Sequence, residues 1–263
     1  MRWEYAIVML VMTGCTAQYG DSTVQVALND GQVLLGGLNT DILYLRGAAG
    51  LLEIPLEDVG EVVPVEGTDL GGANSHVTVW LRNGSELRGE WIDPELAVGI
   101  PLRGGVVPVD IPMASLERFQ TQGEEIWPTG PVFRVQTSHG DDFLVDADRS
   151  SIRLMSDLGN FTPFLSECRS IEPISDGTWQ VELHNGTILL GSLDDEQLEL
   201  ALPIGPERVG VAVSQLISVE QEYWEQPQPT FVSIDQPGSQ ESSGWFDNEL
   251  LSIEKTRQVQ LRH

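Results

Sequence analysis

A hairpin motif that occurs four times constrains this chain more than any other feature. A strand-like apolar segment leads into a turn glycine and a second strand-like segment follows, as in "VALNDGQVLLGGL", "VWLRNGSELRGEW" and "VELHNGTILLGSL". The turn glycines are Gly31, Gly84, Gly140 and Gly186, separated by 46 to 56 residues. An irregular period of this kind favours separate small modules over a tightly stacked solenoid.

The glycines of this motif are predicted to shape strands and not to hold a ligand. Asn or Asp precedes three of the turn glycines, and such pairs suit a type I′ turn because both residues tolerate positive φ. A second glycine, typical of a bulge or bend, lies inside the returning strand of three copies, at Gly36, Gly89 and Gly191. A phosphate-binding glycine loop would open a helix, whereas here another strand follows.

Each copy continues with a second strand pair, a short polar step and a fifth strand. Five short antiparallel strands with a bent second strand are typical of a small SH3-like or Sm-like barrel, and no stretch shows sustained helical periodicity. The sequence therefore predicts an all-β protein of four tandem modules, at residues 23–67, 74–121, 130–175 (divergent) and 176–222. A module of ~45 residues buries little surface alone, so we expect the modules to pack in pairs.

The last segment, residues 223–263, is rich in proline and serine, which predicts an irregular tail. Its end, "KTRQVQLRH", resembles the opening strand "DSTVQVALND". This end is a candidate to add an edge strand to a module of this chain or of a partner. The alternative is a frayed terminus, as most chain ends are.

The N-terminus has the features of an export signal. The apolar run "AIVMLVM" is shorter than the ~20 residues that span a bilayer, but it suits the central region of a signal peptide. Met12-Thr13-Gly14-Cys15 resembles the lipobox of bacterial lipoproteins. The resemblance implies a signal peptide at 1–14, a diacylglycerol on the Cys15 thiol and a lipidated linker at 15–22. The alternative is an ordinary signal peptide cleaved near Ala17 or Gln18.

The motif as a whole resembles modules found in many bacterial envelope proteins. The resemblance implies binding or scaffold roles, with other envelope proteins as partners, and supplies no catalytic residues. By resemblance to lipoproteins, Thr16 in place of an aspartate implies the outer membrane, facing the periplasm or the cell surface.

The charge of the chain narrows the choice of partners. Acidic residues outnumber lysine plus arginine by 40 to 14, which gives a formal net charge of −26. A surface this acidic repels phosphate backbones, so nucleic-acid binding is not expected. Cys168 is the only cysteine besides Cys15, and its strand-like context favours a small buried residue over a nucleophile. An acylated Cys15 would leave it without a disulfide partner.

One acidic cluster is a candidate metal site. The segment "GDDFLVDAD" offers four carboxylates, Asp141, Asp142, Asp146 and Asp148, and calcium prefers such oxygen ligands. The order of these residues does not follow the EF-hand loop, so the alternative is a set of solvated turn acids. The sequence predicts no other cofactor.

Tryptophans are the candidate ligand-binding residues. Trp91 follows the bend glycine Gly89, which favours an exposed position at a rim. Trp80 and Trp179 stand among core aliphatics, where burial is favoured, and Trp224 lies at the start of the tail.

The chain shows no arrangement typical of an enzyme. It contains no G-x-S-x-G nucleophile elbow and no H-E-x-x-H metal motif. The sequence therefore predicts a non-catalytic, lipid-anchored envelope protein whose modules mediate protein–protein contacts. Two alternatives remain open: a glycan- or peptide-binding protein that uses exposed tryptophans, and a calcium-stabilised secreted structural protein.

Overall fold

The computed structural model describes residues 23–65, 75–175, 177–193 and 196–222. In these ranges the chain forms twenty β-strands and four 3₁₀ helices of three residues each, so the all-β prediction is confirmed. None of the described helices is long and apolar enough to cross a bilayer. The predicted signal peptide, the lipidated linker and the tail lie outside the described residues.

The strands follow one another in four groups of five, and a 3₁₀ helix precedes the fifth strand of each group. The first group contains β1 Thr23–Leu28, β2 Val33–Leu38, β3 Ile42–Gly47, β4 Gly50–Pro55, the helix Leu56–Asp58 and β5 Val59–Pro64. The second contains β6 Ser75–Leu81, β7 Glu86–Trp91, β8 Glu95–Leu102, β9 Gly105–Pro112, the helix Met113–Ser115 and β10 Leu116–Thr121.

The other two groups repeat this order with shorter middle strands. The third contains β11 Val132–Thr137, β12 Asp142–Asp146, β13 Leu154–Ser156, β14 Gly159–Phe161, the helix Leu165–Glu167 and β15 Cys168–Ser175. The fourth contains β16 Thr178–Leu183, β17 Ile188–Leu193, β18 Gln197–Ala201, β19 Arg208–Ala212, the helix Val213–Gln215 and β20 Leu216–Glu222.

Strand pairing crosses from one group to its neighbour. In the described residues, β1 pairs with β10 and β5 with β6, so the first strand of each group lies beside the last strand of the other. The second strand of each group likewise pairs with the third strand of the other, as β2 with β8 and β7 with β3. These reciprocal pairings bind the first two groups into one intertwined unit.

The third and fourth groups pair in the same way. Strand β11 pairs with β20, β15 with β16, and β13 with β17. All pairings are antiparallel, and they join eighteen strands into one large sheet, while β18 and β19 form a separate two-stranded sheet. A single group therefore does not close on itself in the way an isolated barrel would.

The four turn glycines have φ values between 80° and 90°, the left-handed region that glycine adopts most easily. At the first turn the Gly31 amide donates to the Leu28 carbonyl, and the Leu28 amide donates to the Gln32 carbonyl. No described residue other than glycine has a positive φ, which corrects the type I′ expectation. The pattern is instead a three-residue loop, in which a type I turn is followed by one left-handed glycine.

The second glycines allow two backbones to cross closely. A Cβ atom at Gly89 would lie 2.7 Å from the carbonyl oxygen of Arg46, which belongs to the crossing third strand of the neighbouring group. Equivalent atoms at Gly36 and Gly191 would clash with the carbonyl oxygens of Gly99 and Met155. The bend therefore turns the second half of the strand onto the neighbouring group.

The core forms where the inward-facing residues of paired groups meet. Alternation in β1 places Val24 and Val26 inside, both fully buried. The Trp91 and Phe119 rings meet edge to face, with centroids 6.1 Å apart. Because these two residues come from different strands of the second group, the contact links its bent second strand to its last strand.

Candidate interaction site

The first half of each second strand presents a sheet edge. We call the three residues after the hairpin loop the second-strand edge: 33–35 in β2, 86–88 in β7, 142–144 in β12 and 188–190 in β17. In the first hairpin the Leu28 amide donates to the Gln32 carbonyl, so Leu28 and Gln32 form a hydrogen-bonded pair of the β1–β2 ladder. The next pair, Ala27 and Val33, is therefore a non-hydrogen-bonded pair. The amide and carbonyl groups of Val33 and Leu35 therefore point away from β1, and the same holds at the equivalent positions.

The two inner edges meet where the second group contacts the third. Strand β7 pairs antiparallel with β12, with Glu86 opposite Asp142. The Arg88 amide donates to the Asp141 carboxylate at 2.8 Å, and the Leu144 amide donates to the Ser85 hydroxyl at 3.0 Å. These two bonds are equivalent, because Ser85 and Asp141 each follow a turn glycine. We call this contact the β7–β12 junction.

Charged side chains border the junction. Arg88 lies 2.6 Å from Glu86 on its own strand, and Arg134 lies 2.9 Å from Asp142 and 3.2 Å from Glu222. Partial burial lowers the pKa of Arg134, but the two carboxylates outweigh this effect, so its pKa lies above the ordinary value. These ion pairs neutralise the charges of Glu86, Arg88 and Asp142 on the inner edges.

The two outer edges carry apolar side chains in place of these charges. Val33 and Leu35 of β2 are 56% and 54% exposed, and Ile188 and Leu190 of β17 are 57% and 51% exposed. Among the described residues, no strand pairs with these edges on their outer side. Leu144, which occupies the position of Leu35 and Leu190 at the junction, is fully buried.

One further position is chemically alike in all four groups. The residue directly after the turn glycine is Gln32, Ser85, Asp141 or Thr187. Each of these side chains carries an oxygen that accepts hydrogen bonds. At the junction this oxygen binds the amide of the opposing strand, so each outer edge retains the acceptor that such a contact uses.

The predicted calcium ligands have structural partners in the fold. Asp141 accepts from the Arg88 amide and the Thr137 hydroxyl, and Asp142 is paired with Arg134. The Asp146 carboxylate accepts from the amide of Asp148, in a local turn. The described ranges contain no group of three or more acidic, histidine or cysteine side chains placed to hold a metal ion. Calcium binding by this segment stays a prediction.

The candidate tryptophans that the structure describes are buried or half-buried. Trp91 is only 3% exposed, which corrects the expectation of a rim position. It lies two and four positions from Gly89 and Leu87, and the period of a strand therefore places it on the same face as the buried Leu87. Trp179 is buried, Trp80 is half-buried, and Trp224 lies outside the described residues.

Cys168 lies in the core and has no exposed surface. Burial, together with the neighbouring Glu167 carboxylate, raises the pKa of its thiol to about 12. The thiol lies 3.3 Å from the Phe164 carbonyl oxygen, to which it donates. A thiol that stays protonated is a poor nucleophile, so Cys168 acts as a packed core residue.

Sequence patterns missed the importance of the outer edges. The signal was present, because the first and fourth copies carry apolar residues at both positions, whereas the second carries Glu86 and Arg88 and the third carries Asp142 at the first position. Comparisons with known family models, curated proteins and solved structures give no match to this chain.

Proposed function

We propose that this protein is a non-catalytic, lipid-anchored scaffold of the bacterial cell envelope whose β units mediate protein–protein contacts. The observation that carries the proposal is the pair of uncharged outer edges, β2 and β17. Exposed strand edges are usually protected by charges, prolines or bulges, because they readily pair with other chains. Two apolar edges in a chain of net charge −26 therefore favour a binding role.

The proposal includes the organisation of the chain. We interpret the four groups as modules of SH3-like or Sm-like ancestry that are stable only as intertwined pairs. The reciprocal pairing of first and last strands supports this interpretation. In this interpretation the β7–β12 junction connects two pairs and leaves one second-strand edge at each outer end.

The location rests on the N-terminal sequence. The apolar run at 6–12 and the Cys15 motif support export and acylation, and Thr16 supports the outer membrane, facing the periplasm or the surface. Cells grown with labelled palmitate should label the wild-type protein, while Cys15→Ala should remain unlabelled. Equal labelling of both proteins would contradict the anchor.

The binding role is tested by affinity purification from cells. The wild-type chain is compared with Leu35→Lys and Leu190→Lys, which place a charge on each outer edge. We expect at least one co-purifying protein to be lost from one or both variants. A matched control is Ile217→Lys, since Ile217 is 56% exposed on β20, which pairs with β11 and β15 and not with β2 or β17. Identical partners for all four proteins would contradict the proposal.

A further inference from the structure

We propose that the outer edges bind each other, so that β2 of one copy pairs with β17 of the next and copies join end to end. This inference rests on the proposed binding role and names a second copy of this chain as the partner. It depends on the equivalence between the outer edges and the two inner edges that already pair in the β7–β12 junction.

The backbone of each outer edge is oriented for this contact. Val33 and Leu35 direct their amides and carbonyls away from β1, as Glu86 and Arg88 direct theirs away from β6. At the junction that orientation lets the Arg88 amide reach the opposing Asp141. The Leu35 amide occupies the equivalent place on β2.

The acceptors match in both directions. Superposing the outer edges on the junction pairs Ile188 with Val33, in the places of Glu86 and Asp142 respectively. The Leu35 amide then donates to the Thr187 hydroxyl, and the Leu190 amide donates to the Gln32 side-chain oxygen. Both bonds repeat those that Ser85 and Asp141 accept at the junction.

The side chains favour a copy of the same chain over an unrelated acidic protein. The segments 33–35 and 188–190 contain only valine, leucine and isoleucine. Pairing them places four half-exposed aliphatic side chains next to one another, which reduces the apolar surface in contact with water, and brings no charge into the contact. At the junction this strand position is held by Leu144, which is fully buried, and by Arg88, whose side chain stays 48% exposed.

The order of the groups favours unlike over like edges. Within the chain the second strand of an even-numbered group pairs with that of an odd-numbered group, as β7 with β12. Pairing β17 with β2 of the next copy continues this order. Such a contact is heterologous, and it does not close with a two-fold axis, so it produces chains of copies.

The test measures molecular mass by sedimentation velocity, with Cys15→Ser in every sample so that acyl chains cannot drive association. A small interface binds weakly, so association should require high protein concentrations. We therefore expect the mass of the otherwise wild-type chain to rise as the protein concentration is raised to the order of 100 µM. Added salt should strengthen the association, because it screens repulsion between copies of charge −26.

Two single-edge variants distinguish the mode of pairing. Leu35→Lys and Leu190→Lys should each remain monomeric alone, and an equimolar mixture should form dimers and nothing larger. Ile217→Lys should associate as the parent does, because β20 pairs with neither β2 nor β17. Thermal melting followed by circular dichroism shows whether each variant is folded, which we expect because all three residues are exposed.

Three results would overturn the inference: a parent that is monomeric at every concentration, dimers formed by either single-edge variant alone, or loss of association in Ile217→Lys. The first result also separates this inference from the proposed function. If the parent is monomeric but purification still captures a different protein that Leu35→Lys loses, the binding role stands and the partner is not a second copy. If neither contact is found, both proposals fail.

Discussion

The β7–β12 junction and the outer edges are built from the same strand position but have opposite surroundings. The inner edges carry Glu86, Arg88 and Asp142, and their charges are compensated by ion pairs. The outer edges carry only aliphatic residues at equivalent positions and leave them about half exposed. The difference teaches that the backbone of the motif provides an edge in every group, while the side chains at two positions set the charge of that edge.

The largest effect is expected at the bend glycines, which the β7 side of the junction shares with both outer edges. Gly89→Ala would place a Cβ atom 2.7 Å from the Arg46 carbonyl, and Gly191→Ala would meet the Met155 carbonyl even more closely. Each substitution should lower the free energy of unfolding by about 3 kcal/mol, because backbone atoms must shift. Urea denaturation measures this loss.

Gly186→Ala is the matched control for Gly191→Ala in the same hairpin. No atom lies within 4 Å of a Cβ at Gly186, so only its φ of 85° opposes the substitution. The cost should be about 1–2 kcal/mol. A bend variant that is no less stable than this turn variant would contradict the close crossing of the strands.

A second test separates the junction from the outer edges directly. Ser85→Ala leaves the buried Leu144 amide without its acceptor and should lower the free energy of unfolding by about 1–3 kcal/mol. Thr187→Ala makes the same kind of change at an outer edge, where Thr187 is exposed, and should change it by less than about 0.5 kcal/mol. Equal losses of unfolding free energy for Ser85→Ala and Thr187→Ala in dilute protein would contradict the distinction between the junction and the outer edges.

A third test asks whether the junction couples the two halves. The Cys168 pKa is raised from 9.0 to about 12 in the folded protein, so as pH rises the unfolded thiol ionises first. The contribution of Cys168 is constant below pH 9 and is lost between pH 9 and about 12, at ~1.4 kcal/mol per pH unit. At pH 10 the stability difference between wild type and Cys168→Ala should have fallen by about 1 kcal/mol.

The same titration reports on cooperativity. Cys168 belongs to the third group, so in a molecule whose halves unfold together the single transition of the whole protein moves with pH. Two transitions, of which only one responds, would show that the junction does not couple the halves.

The smallest effect is expected from polar substitutions on an outer edge. Leu35→Thr keeps a good strand former at an exposed position and should change the stability of the dilute protein by less than about 0.5 kcal/mol. Differential scanning calorimetry at several protein concentrations measures this. A large loss in dilute protein would show that Leu35 packs within the monomer.

Local features of this fold were predictable from the sequence, because they depend on a few neighbouring residues. The positive φ of Gly31 and the bend at Gly89 both follow from what glycine alone permits. The exact turn type was mispredicted, because Asn-Gly pairs also suit a type I turn followed by a left-handed glycine.

The pairing of strands between groups was harder to predict, because any first strand of the repeat resembles any other. The choice of β10 over β5 as the partner of β1 depends on contacts between distant segments. The position of Trp91 was mispredicted for a different reason. It was expected at a rim because it follows the bend glycine Gly89, whereas the alternation of the strand from Leu87 places it on the buried face. The outer edges were not predicted, because their apolar character stands out only when the four copies are compared.

The exchange of first and last strands between groups also limits how such a protein can evolve. Losing or duplicating a single group would leave one first strand and one last strand without partners. Only the gain or loss of a whole intertwined pair of groups preserves every pairing, and it leaves one second-strand edge at each end. Variants of this architecture should therefore differ in length by whole pairs of groups.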